Sequence, residues 1–409
     1  MDLRITPGPL EGTVTPPPSK SLAHRALIAA ALAGGFSVLE ELAPSQDIQA
    51  TLRCMEALGA EWSRQSGDTI LVSGIRNLSR PGNELPRFDC GESGSTLRFL
   101  IPIALAVAGG GVFTGRGRLM ERPQKPYFDI FDEKGIFYEQ KDGSLTVRGH
   151  LGPGEYRLPG NVSSQFVTGL LYALPLLGGD STIVLTSPLE SHGYVDMTLE
   201  VLEQFGIQIE VLEDGFAVSG NQSYQTCRFI VEADWSQAAF WYAAGFLGNW
   251  VEVGGLDTHS TQGDAVVEDW VDKLSDPGEM DVDVSNCPDL VPPLAVIAAL
   301  RTGEITYLTN AARLRIKESD RLASVTQVLN ALGADVKEGP DFLKIKGRDA
   351  LTGGVTVDCC NDHRIAMMAA IAATRCQQPV TLLGAECVKK SYPDFWEVYQ
   401  TLGGVVHVL

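Results

Sequence analysis

The chain has few of the features that mark metal-binding, membrane or secreted proteins. Its six histidines are dispersed without HxH or HExxH spacing, so the sequence gives no support for a metal site. Apart from the adjacent pair Cys359-Cys360, the eight cysteines are scattered, and none are at CxxC spacing. The longest apolar run, residues 99–108, contains Pro102 and is too short to span a bilayer. Because the first residues, MDLRITPG, lack the apolar core of a secretory signal, we expect reduced thiols in a cytoplasmic protein.

Basic residues are scarce as well. The chain has 32 lysines and arginines against 51 aspartates and glutamates, which gives a formal net charge of −19. This balance argues against binding to nucleic acid or to an anionic membrane surface. The cations that do occur in polar loops are therefore locally placed, and they predict a small anionic ligand. At 409 residues, two domains are expected rather than one.

The stretch PPPSKSLAHR near the start combines a rigid segment with a charged helix start. Its prolines hold the chain extended, and Ser19 is predicted to cap a helix formed by the Ala- and Leu-rich run that follows. Lys20, Ser21 and Arg25 then lie in the first turns, where free backbone N–H groups and the helix dipole attract anions. The alternatives are a bound anion and a surface helix whose cations only solubilise it.

The same arrangement recurs along the chain. Apolar helical runs follow the polar starts SGSTLR, VSSQ, DWSQ, CPD and NDHR, and each run is followed by a short β-rich run, a polar loop and an amphipathic helix. The period is roughly 70 residues, and six copies fill the chain, the fourth being the least clear. Helices that are apolar all round should be buried, and the amphipathic ones should lie outside. The sequence therefore predicts an α/β chain of six related units.

The segment EADWSQ has the turn and cap residues expected where the chain crosses between domains. We place a boundary there, so that 19–231 form one domain of three units. Residues 1–18 return to the other domain, which holds 232–409 and the remaining three units.

Several loops carry charged residues at or before predicted helix starts. At helical spacing, Lys317 and Arg321 in KESDR would share one helix face as i and i+4, with Glu318 beside them. Arg364 in NDHR opens a helix too apolar to be exposed, so its guanidinium must lie at the mouth of a buried helix and needs a partner. Lys390 also precedes a helix start.

Each polar helix start also has a simpler interpretation. Ser93 could be a cap, Gly94 a tight turn and Arg98 a surface cation in SGSTLR, while Asp289 could be an N-cap and His363 a hydrogen-bonded structural histidine. Six such starts on one repeated scaffold are better explained together by a shared site for a polyanion.

The motifs together resemble one enzyme family. PSKSLAHRAL, GESGSTLR, ERPQKP, VSSQF, SHGYVD, CPD, KESDR, NDHR and KKSYPDF stand in the order and spacing of the EPSP synthase (3-phosphoshikimate 1-carboxyvinyltransferase) family, over essentially the whole chain. The resemblance implies the inside-out α/β fold, with two domains of three βαβαββ units, buried helices and an active site in the cleft between the domains. It implies transfer of the enolpyruvyl group of phosphoenolpyruvate to the 5-hydroxyl of shikimate 3-phosphate, without a metal or organic cofactor, by a protein that is generally a monomer.

The resemblance also implies roles for single residues. Asp289 and Glu318 match the two carboxylates of proton transfer, and Lys20 matches a lysine that contacts both substrates. The residues that match the shikimate 3-phosphate site are Lys20, Ser21, Arg25, Ser163, Ser164, Gln165, Ser191, Tyr194, Asp289 and Lys317. Those that match the phosphoenolpyruvate pocket are Lys20, Gly94, Arg122, Gln165, Arg321, His363, Arg364 and Lys390.

Three positions depart from the family pattern. Glu92 stands where many members have Asn, Phe99 where many have Pro, and Arg313 where an Asn can contact the shikimate phosphate. They bear on the affinity for phosphoenolpyruvate and on the response to the inhibitor glyphosate. The alternatives to the leading interpretation are UDP-N-acetylglucosamine enolpyruvyl transferase, whose pocket loop usually carries a cysteine that GRGRLMERP lacks, and an inactive anion-binding relative.

Overall fold

The structure is a computed structural model that describes residues 1–75 and 84–409. Its chain forms two compact units. We call Met1–Pro17 together with Ala233–Leu409 domain 1, and Pro18–Glu232 domain 2. Each domain has its own hydrophobic core.

The described residues contain twelve α-helices, which alternate between two kinds as the sequence predicts. They are α1 (Lys20–Leu32), α2 (Gln46–Leu58), α3 (Gly94–Ala108), α4 (Lys125–Lys134), α5 (Ser164–Ala173), α6 (His192–Gln204), α7 (Trp235–Phe246), α8 (Val267–Ser275), α9 (Val291–Ala299), α10 (Arg321–Ala331), α11 (His363–Ala373) and α12 (Phe395–Thr401). The odd-numbered helices are buried on nearly all sides, whereas the even-numbered ones bury one face. The predicted burial pattern is thereby confirmed.

The strands are short and lie between the helices. They are β1 (Leu3–Thr6), β2 (Glu11–Val14), β3 (Phe36–Glu40), β4 (Glu61–Arg64), β5 (Ile70–Ser73), β6 (Arg87–Asp89), β7 (Gly110–Thr114), β8 (Phe137–Lys141), β9 (Ser144–Arg148), β10 (Gly154–Leu158), β11 (Ser181–Leu185), β12 (Ile209–Leu212), β13 (Gly215–Val218), β14 (Arg228–Ile230), β15 (Trp250–Val253), β16 (Met280–Asp283), β17 (Ile305–Thr309), β18 (Asp335–Glu338), β19 (Leu343–Lys346), β20 (Leu351–Gly353), β21 (Thr356–Asp358), β22 (Cys376–Gln378), β23 (Val380–Leu383) and β24 (Val405–Val408).

The four-stranded sheets repeat one pattern, in which a parallel pair of strands is extended by two antiparallel strands. Domain 2 has three sheets of this kind, with strand orders β14-β3-β5-β4, β6-β7-β9-β8 and β10-β11-β13-β12. Domain 1 has two, with orders β16-β17-β19-β18 and β21-β23-β1-β24. In the sheet β10-β11-β13-β12, Gly154 pairs with Ser181 in parallel, and Ser181 pairs with Val218 in the antiparallel sense.

The fourth unit is abbreviated, which explains why its repeat is faint in the sequence. Its strand β15 pairs in parallel with β2, so that Trp250 lies opposite Glu11, and the two form a sheet of their own. Within the described part of the chain, α8 leads to β16 of the next unit without a hairpin of its own. A second small sheet joins β20 and β22.

The packing of the helices brings their N-termini to polar loops. Ser19 caps α1 by accepting a hydrogen bond from the backbone N–H of Leu22, and eleven residues of this helix are buried. Ser93, Ser163 and Asp362 cap α3, α5 and α11 in the same way. Every one of these caps precedes a buried helix, so the polar residues beside them are held at defined positions. No helix in the described part of the chain is long and apolar enough to cross a membrane.

Candidate active site

In domain 1, the predicted charged residues gather around the guanidinium of Arg321. This side chain is 1% exposed and opens α10. Its Nη1 donates to Asp289 Oδ1 at 2.7 Å, its Nη2 to Glu318 Oε2 at 2.7 Å and its Nε to Asp362 Oδ2 at 2.9 Å. Burial lowers the pKa of Arg321, but the carboxylates of Asp362, Glu318 and Asp289 together raise it well above its usual value. Three carboxylates therefore converge on one buried cation.

Asp289 is shared by three cations. Its Oδ1 lies 2.7 Å from Arg321 and 3.7 Å from the Nζ of Lys317, while its Oδ2 accepts a hydrogen bond of 2.9 Å from Arg364. Arg364 also donates to the hydroxyl of Ser236 at 2.9 Å. We call Asp289, Lys317, Glu318, Arg321, Asp362 and Arg364 the Arg321 cluster.

Two further predicted residues lie at the edge of the Arg321 cluster. The Nζ of Lys390 donates to the backbone carbonyl of Asn361 at 2.6 Å, directly before Asp362. His363 is 1% exposed, and its ring lies 3.9 Å from Asp362. His363 is the first residue of α11, as predicted for NDHR, and the ammonium of Lys390 lies beside the same helix start.

Two predictions on this part of the chain are wrong. Lys317 and Arg321 do not share a helix, because α10 begins only at Arg321 and Lys317 follows a short 3-10 helix in extended conformation. The two side chains meet through Asp289 instead. Asp289 does not cap a helix either, since it lies inside the 3-10 turn Pro288–Leu290 and its carboxylate is used by Arg321 and Arg364.

Within the Arg321 cluster, Lys317 has a lowered pKa. Burial lowers the pKa of Lys317 to about 8, and repulsion from Arg321 and Arg313 acts in the same direction, although Asp289 and Glu318 oppose it. Lys317 therefore changes its charge close to physiological pH.

In domain 2, the predicted cations lie at the starts of α1 and α3. The Nζ of Lys20 donates to Asp47 Oδ2 at 2.8 Å. Gly94 is the first residue of α3, so it is not the tight turn of the simpler interpretation. A Cβ atom at this position would lie 2.5 Å from the Nη1 of Arg122, which shows how closely the guanidinium approaches the helix start. Only glycine leaves Arg122 in this place.

The start of α5 is tied to α3 by a buried arginine. Arg98 is 2% exposed and donates to Gln165 Oε1 at 2.9 Å and to the Ser163 hydroxyl at 3.5 Å. Gln165 in turn donates to Ser95 at 3.0 Å. The guanidinium of Arg98 also lies 4.7 Å from the centre of the Phe166 ring, a cation–π contact. The surface-cation interpretation of Arg98 is wrong, because this side chain organises the polar start of a neighbouring helix.

Arg25 is the corresponding anchor between α1 and α6. Its nitrogens donate to the Thr198 hydroxyl at 2.9 Å and to the carbonyls of Ser21 and Tyr194 at 2.7 and 2.6 Å. Burial lowers the pKa of Arg25 to about 10, so the side chain remains a cation at neutral pH. Ser191 precedes α6 in the left-handed conformation, with φ of 56°, which is uncommon for a residue other than glycine. Ser164 is the first residue of α5 and is buried.

The departures from the expected pattern also have defined surroundings. Phe99 is fully buried, stacks on Tyr172 with ring centres 6.4 Å apart, and lies 5.3 Å from the Arg25 guanidinium. Arg313 donates to the backbone carbonyl of Ser285.

Comparisons with known proteins identify the family. A family model described as EPSP synthase (3-phosphoshikimate 1-carboxyvinyltransferase) matches residues 5–399. The chain belongs to the EPSP synthase family. It is 46% identical to a 3-phosphoshikimate 1-carboxyvinyltransferase of Clostridium acetobutylicum, over 99% of this chain and 98% of that protein. A protein of the same name from Clostridium novyi is 45% identical over the same shares.

Solved structures establish the fold. An EPSP synthase structure from Acinetobacter baumannii matches with a TM-score of 0.80 at 23% identity, and the match covers 100% of both chains. The enolpyruvyl transferase NikO from Streptomyces tendae matches with a TM-score of 0.79 at 18% identity, over 99% of this chain and 98% of that one. The predicted inside-out α/β fold of the EPSP synthase family is confirmed.

Reasoning from the sequence missed several polar residues that belong to these groups. Asp362 is fully buried and binds Arg321 and Ser319, although only its neighbours in NDHR were selected. Asp47 pairs with Lys20, and Ser236 with Arg364. The available signal was position, because each stands at or beside the start of a helix. The pairing itself could not be read from the sequence, because the partners are distant in the chain.

The described residues contain no group of three or more His, Cys, Asp or Glu side chains placed to hold a metal ion.

Proposed function

We propose that the chain transfers the enolpyruvyl group of phosphoenolpyruvate to the 5-hydroxyl of shikimate 3-phosphate and releases phosphate. In the addition step the 5-oxygen bonds to C2 of phosphoenolpyruvate while the methylene carbon gains a proton. In the elimination step the bond from C2 to the phosphate oxygen breaks, and the methyl group loses a proton to restore the double bond. The family to which the chain belongs supports this reaction.

One observation carries the proposal: Asp289 and Glu318 both bind the buried guanidinium of Arg321. Two carboxylates thus lie next to each other within a group of cations. A reaction that protonates one carbon and deprotonates one hydroxyl needs two proton carriers, and such a pair can provide them. The same cations can bind the anionic substrates and stabilise the phosphate as it departs.

The polar residues at the helix starts of domain 2 support binding of the charged ends of the substrates. Lys20, Gly94 and Arg122 offer cations and free helix N–H groups for phosphoenolpyruvate. Ser163, Gln165 and the start of α6 offer hydroxyl and amide groups suited to shikimate 3-phosphate. We propose that the two domains contribute one group each to the same reaction.

The experiment measures phosphate release from phosphoenolpyruvate with shikimate 3-phosphate in one tube and with UDP-N-acetylglucosamine in another. Release only in the first tube is expected. Release only in the second would mean that the acceptor assignment is wrong while the enolpyruvyl chemistry holds. If neither tube releases phosphate, although the circular dichroism spectrum shows that the protein is folded, an inactive anion-binding relative is favoured.

Arg364→Ala tests the assignment of the pocket. The variant leaves Asp289 with only part of its cationic surroundings and removes a cation proposed to bind phosphoenolpyruvate, so turnover should fall at least about 100-fold while the fold stays intact. Arg348→Ala is the matched control, because its guanidinium belongs to an exposed ion pair with Asp335. Activity of Arg364→Ala near that of the wild type would contradict the assignment.

A monomeric state and a cytoplasmic location remain predictions from the sequence. Size-exclusion chromatography with light scattering tests the first, with 44.0 kDa expected.

A further inference from the structure

Domain 2 contains a buried chain of hydrogen bonds that none of the assigned substrate contacts explains. It begins at His24 in α1, whose Nδ1 lies 2.7 Å from the hydroxyl of Thr51 in α2. The Thr51 hydroxyl lies 2.7 Å from the hydroxyl of Thr96 in α3, which lies 2.7 Å from the hydroxyl of Ser93. Every one of these four residues is at most 1% exposed. We call them the His24 chain.

The direction of the His24 chain follows from the number of protons. The hydroxyl of Thr96 donates to Ser93, so Thr96 has no second proton and must accept from Thr51. Thr51 then accepts from the Nδ1–H of His24. The carbonyl of Asp47 is a weaker alternative for the Thr51 proton, because it lies 3.5 Å away. Bonds aligned in one direction strengthen each other in a dry interior.

His24 is suited to this role because it stays neutral. Burial lowers the pKa of His24 well below its usual value, and the charges of Lys20 and Arg25 act in the same direction. Its Nε2 has no hydrogen-bond partner among the residues that the structure describes. The imidazole therefore acts through Nδ1, as the first donor of the chain.

Both ends of the His24 chain lie beside proposed phosphoenolpyruvate contacts. Lys20 stands one helical turn before His24 and pairs with Asp47, which stands one turn before Thr51. At the other end Ser93 caps α3 and is followed directly by Gly94, the residue packed against Arg122. The chain thus connects the two helix starts that carry Lys20 and Gly94.

We propose that His24, Thr51 and Thr96 are positioning residues that hold Lys20 and the Gly94 helix start in the geometry that binds phosphoenolpyruvate; this inference rests on the proposed function. None of the three needs to touch the substrate. Without the chain, α2 would still pack against α1 and α3, but the N-termini of α1 and α3 would lose a fixed relative position. Affinity for phosphoenolpyruvate should fall more than affinity for shikimate 3-phosphate.

The test compares two substitutions at each threonine. Thr51→Val and Thr96→Val keep the shape and remove the hydroxyl, whereas Thr51→Ser and Thr96→Ser keep the hydroxyl and remove a methyl group. The valine variants should raise the KM for phosphoenolpyruvate about tenfold, since a buried partner is left without its hydrogen bond. The serine variants should stay within about threefold, and the KM for shikimate 3-phosphate should change less than about twofold in all four.

His24 and Thr306 give the remaining variants. His24→Asn keeps a donor near the position of Nδ1 and should resemble the serine variants, while His24→Leu should resemble the valine variants. Thr306→Val is the matched control, because Thr306 is an equally buried threonine that accepts from Arg301 and belongs to neither proposed group of site residues. It should leave the KM for phosphoenolpyruvate unchanged.

A direct titration of phosphoenolpyruvate into the purified protein, by calorimetry, separates this inference from the proposed function. If the wild type shows no turnover, the proposed function fails, yet the titration still compares the valine and serine variants. Equal effects of Val and Ser, or parallel losses for both substrates, would overturn the positioning role and indicate packing alone. Failure of the wild type to bind phosphoenolpyruvate would overturn it as well.

Discussion

Two buried arginines proposed for substrate binding, Arg321 in domain 1 and Arg25 in domain 2, have different kinds of partner. In domain 1, Arg321 is surrounded by Asp289, Glu318 and Asp362, so its charge is balanced by carboxylates. In domain 2, Arg25 donates to hydroxyl and carbonyl oxygens and lies over the Phe99 ring. Neutral acceptors satisfy the N–H groups without cancelling the charge.

This difference suggests different electrostatic roles for the two arginines. A cation held by neutral groups keeps its long-range field and attracts anions, whereas a cation held by carboxylates stabilises those carboxylates in their charged form. Under the proposed function, Arg25 attracts the anionic end of a substrate, and the Arg321 cluster keeps the two proposed proton carriers in place. The predictions below test this comparison, from the largest expected effect to the smallest.

Replacing Asp289 with Asn should have the largest effect. The change keeps the shape but removes the charge shared by Arg321, Lys317 and Arg364, and with it one of the two proposed proton carriers. We expect turnover, measured as phosphate release, to fall at least about 100-fold. Asp335→Asn, which affects only an exposed ion pair, is the control and should leave turnover unchanged. If both variants kept wild-type turnover, Asp289 would be structural.

Gly94→Ala should affect substrate binding in domain 2. The new Cβ would lie 2.5 Å from Nη1 and 2.9 Å from Cζ of Arg122, so the guanidinium must move from the start of α3. The KM for phosphoenolpyruvate should rise at least about tenfold while the KM for shikimate 3-phosphate changes little. Gly178→Ala is the control, because nothing lies within 4 Å of a Cβ built there. An unchanged KM for phosphoenolpyruvate in Gly94→Ala would remove Gly94 from the proposed pocket.

Other residues of the two domains show how much of the fold and of the candidate site could be predicted from the sequence. The repeated units, the alternation of buried and amphipathic helices and the helix starts were predictable, because each depends on residues close in the chain. The contacts of Arg98 and Asp362 were not, since Arg98 meets Gln165 across 67 residues and Asp362 meets Arg321 across 41. The error on Lys317 has a local cause: KESDR fits a helix by spacing, yet Asp320 caps α10 and starts the helix later.

The pH dependence of shikimate 3-phosphate binding tests Lys317 within the Arg321 cluster. Because the pKa of Lys317 is lowered to about 8, the side chain is a cation below that pH and neutral above it. The value of kcat/KM for shikimate 3-phosphate should therefore fall above pH about 8, approaching tenfold per pH unit. Lys317→Arg keeps its charge throughout and should move the fall to higher pH. Superimposable profiles of the two proteins between pH 7 and 9.5 would refute the role of Lys317.

Thr198→Val should have the smallest effect and tests the neutral anchoring of Arg25. The hydroxyl of Thr198 accepts from Arg25 Nε at 2.9 Å and donates to the carbonyl of Tyr194 at 3.0 Å. Valine keeps the shape but leaves Nε buried without this acceptor, which should cost about 1–3 kcal/mol of unfolding free energy. Because Arg25 also holds Tyr194 at the start of α6, the KM for shikimate 3-phosphate should rise about fivefold.

The control for this last change is Thr198→Ser, which retains the acceptor and should keep the KM for shikimate 3-phosphate within about twofold of the wild type. Denaturant unfolding measures the stability of both variants, and steady-state kinetics measures both KM values. Should Thr198→Val lose stability without any change in the KM for shikimate 3-phosphate, Arg25 would be an anchor of the fold alone. In that case neutral acceptors would explain how domain 2 tolerates a buried cation, but not how it binds this substrate.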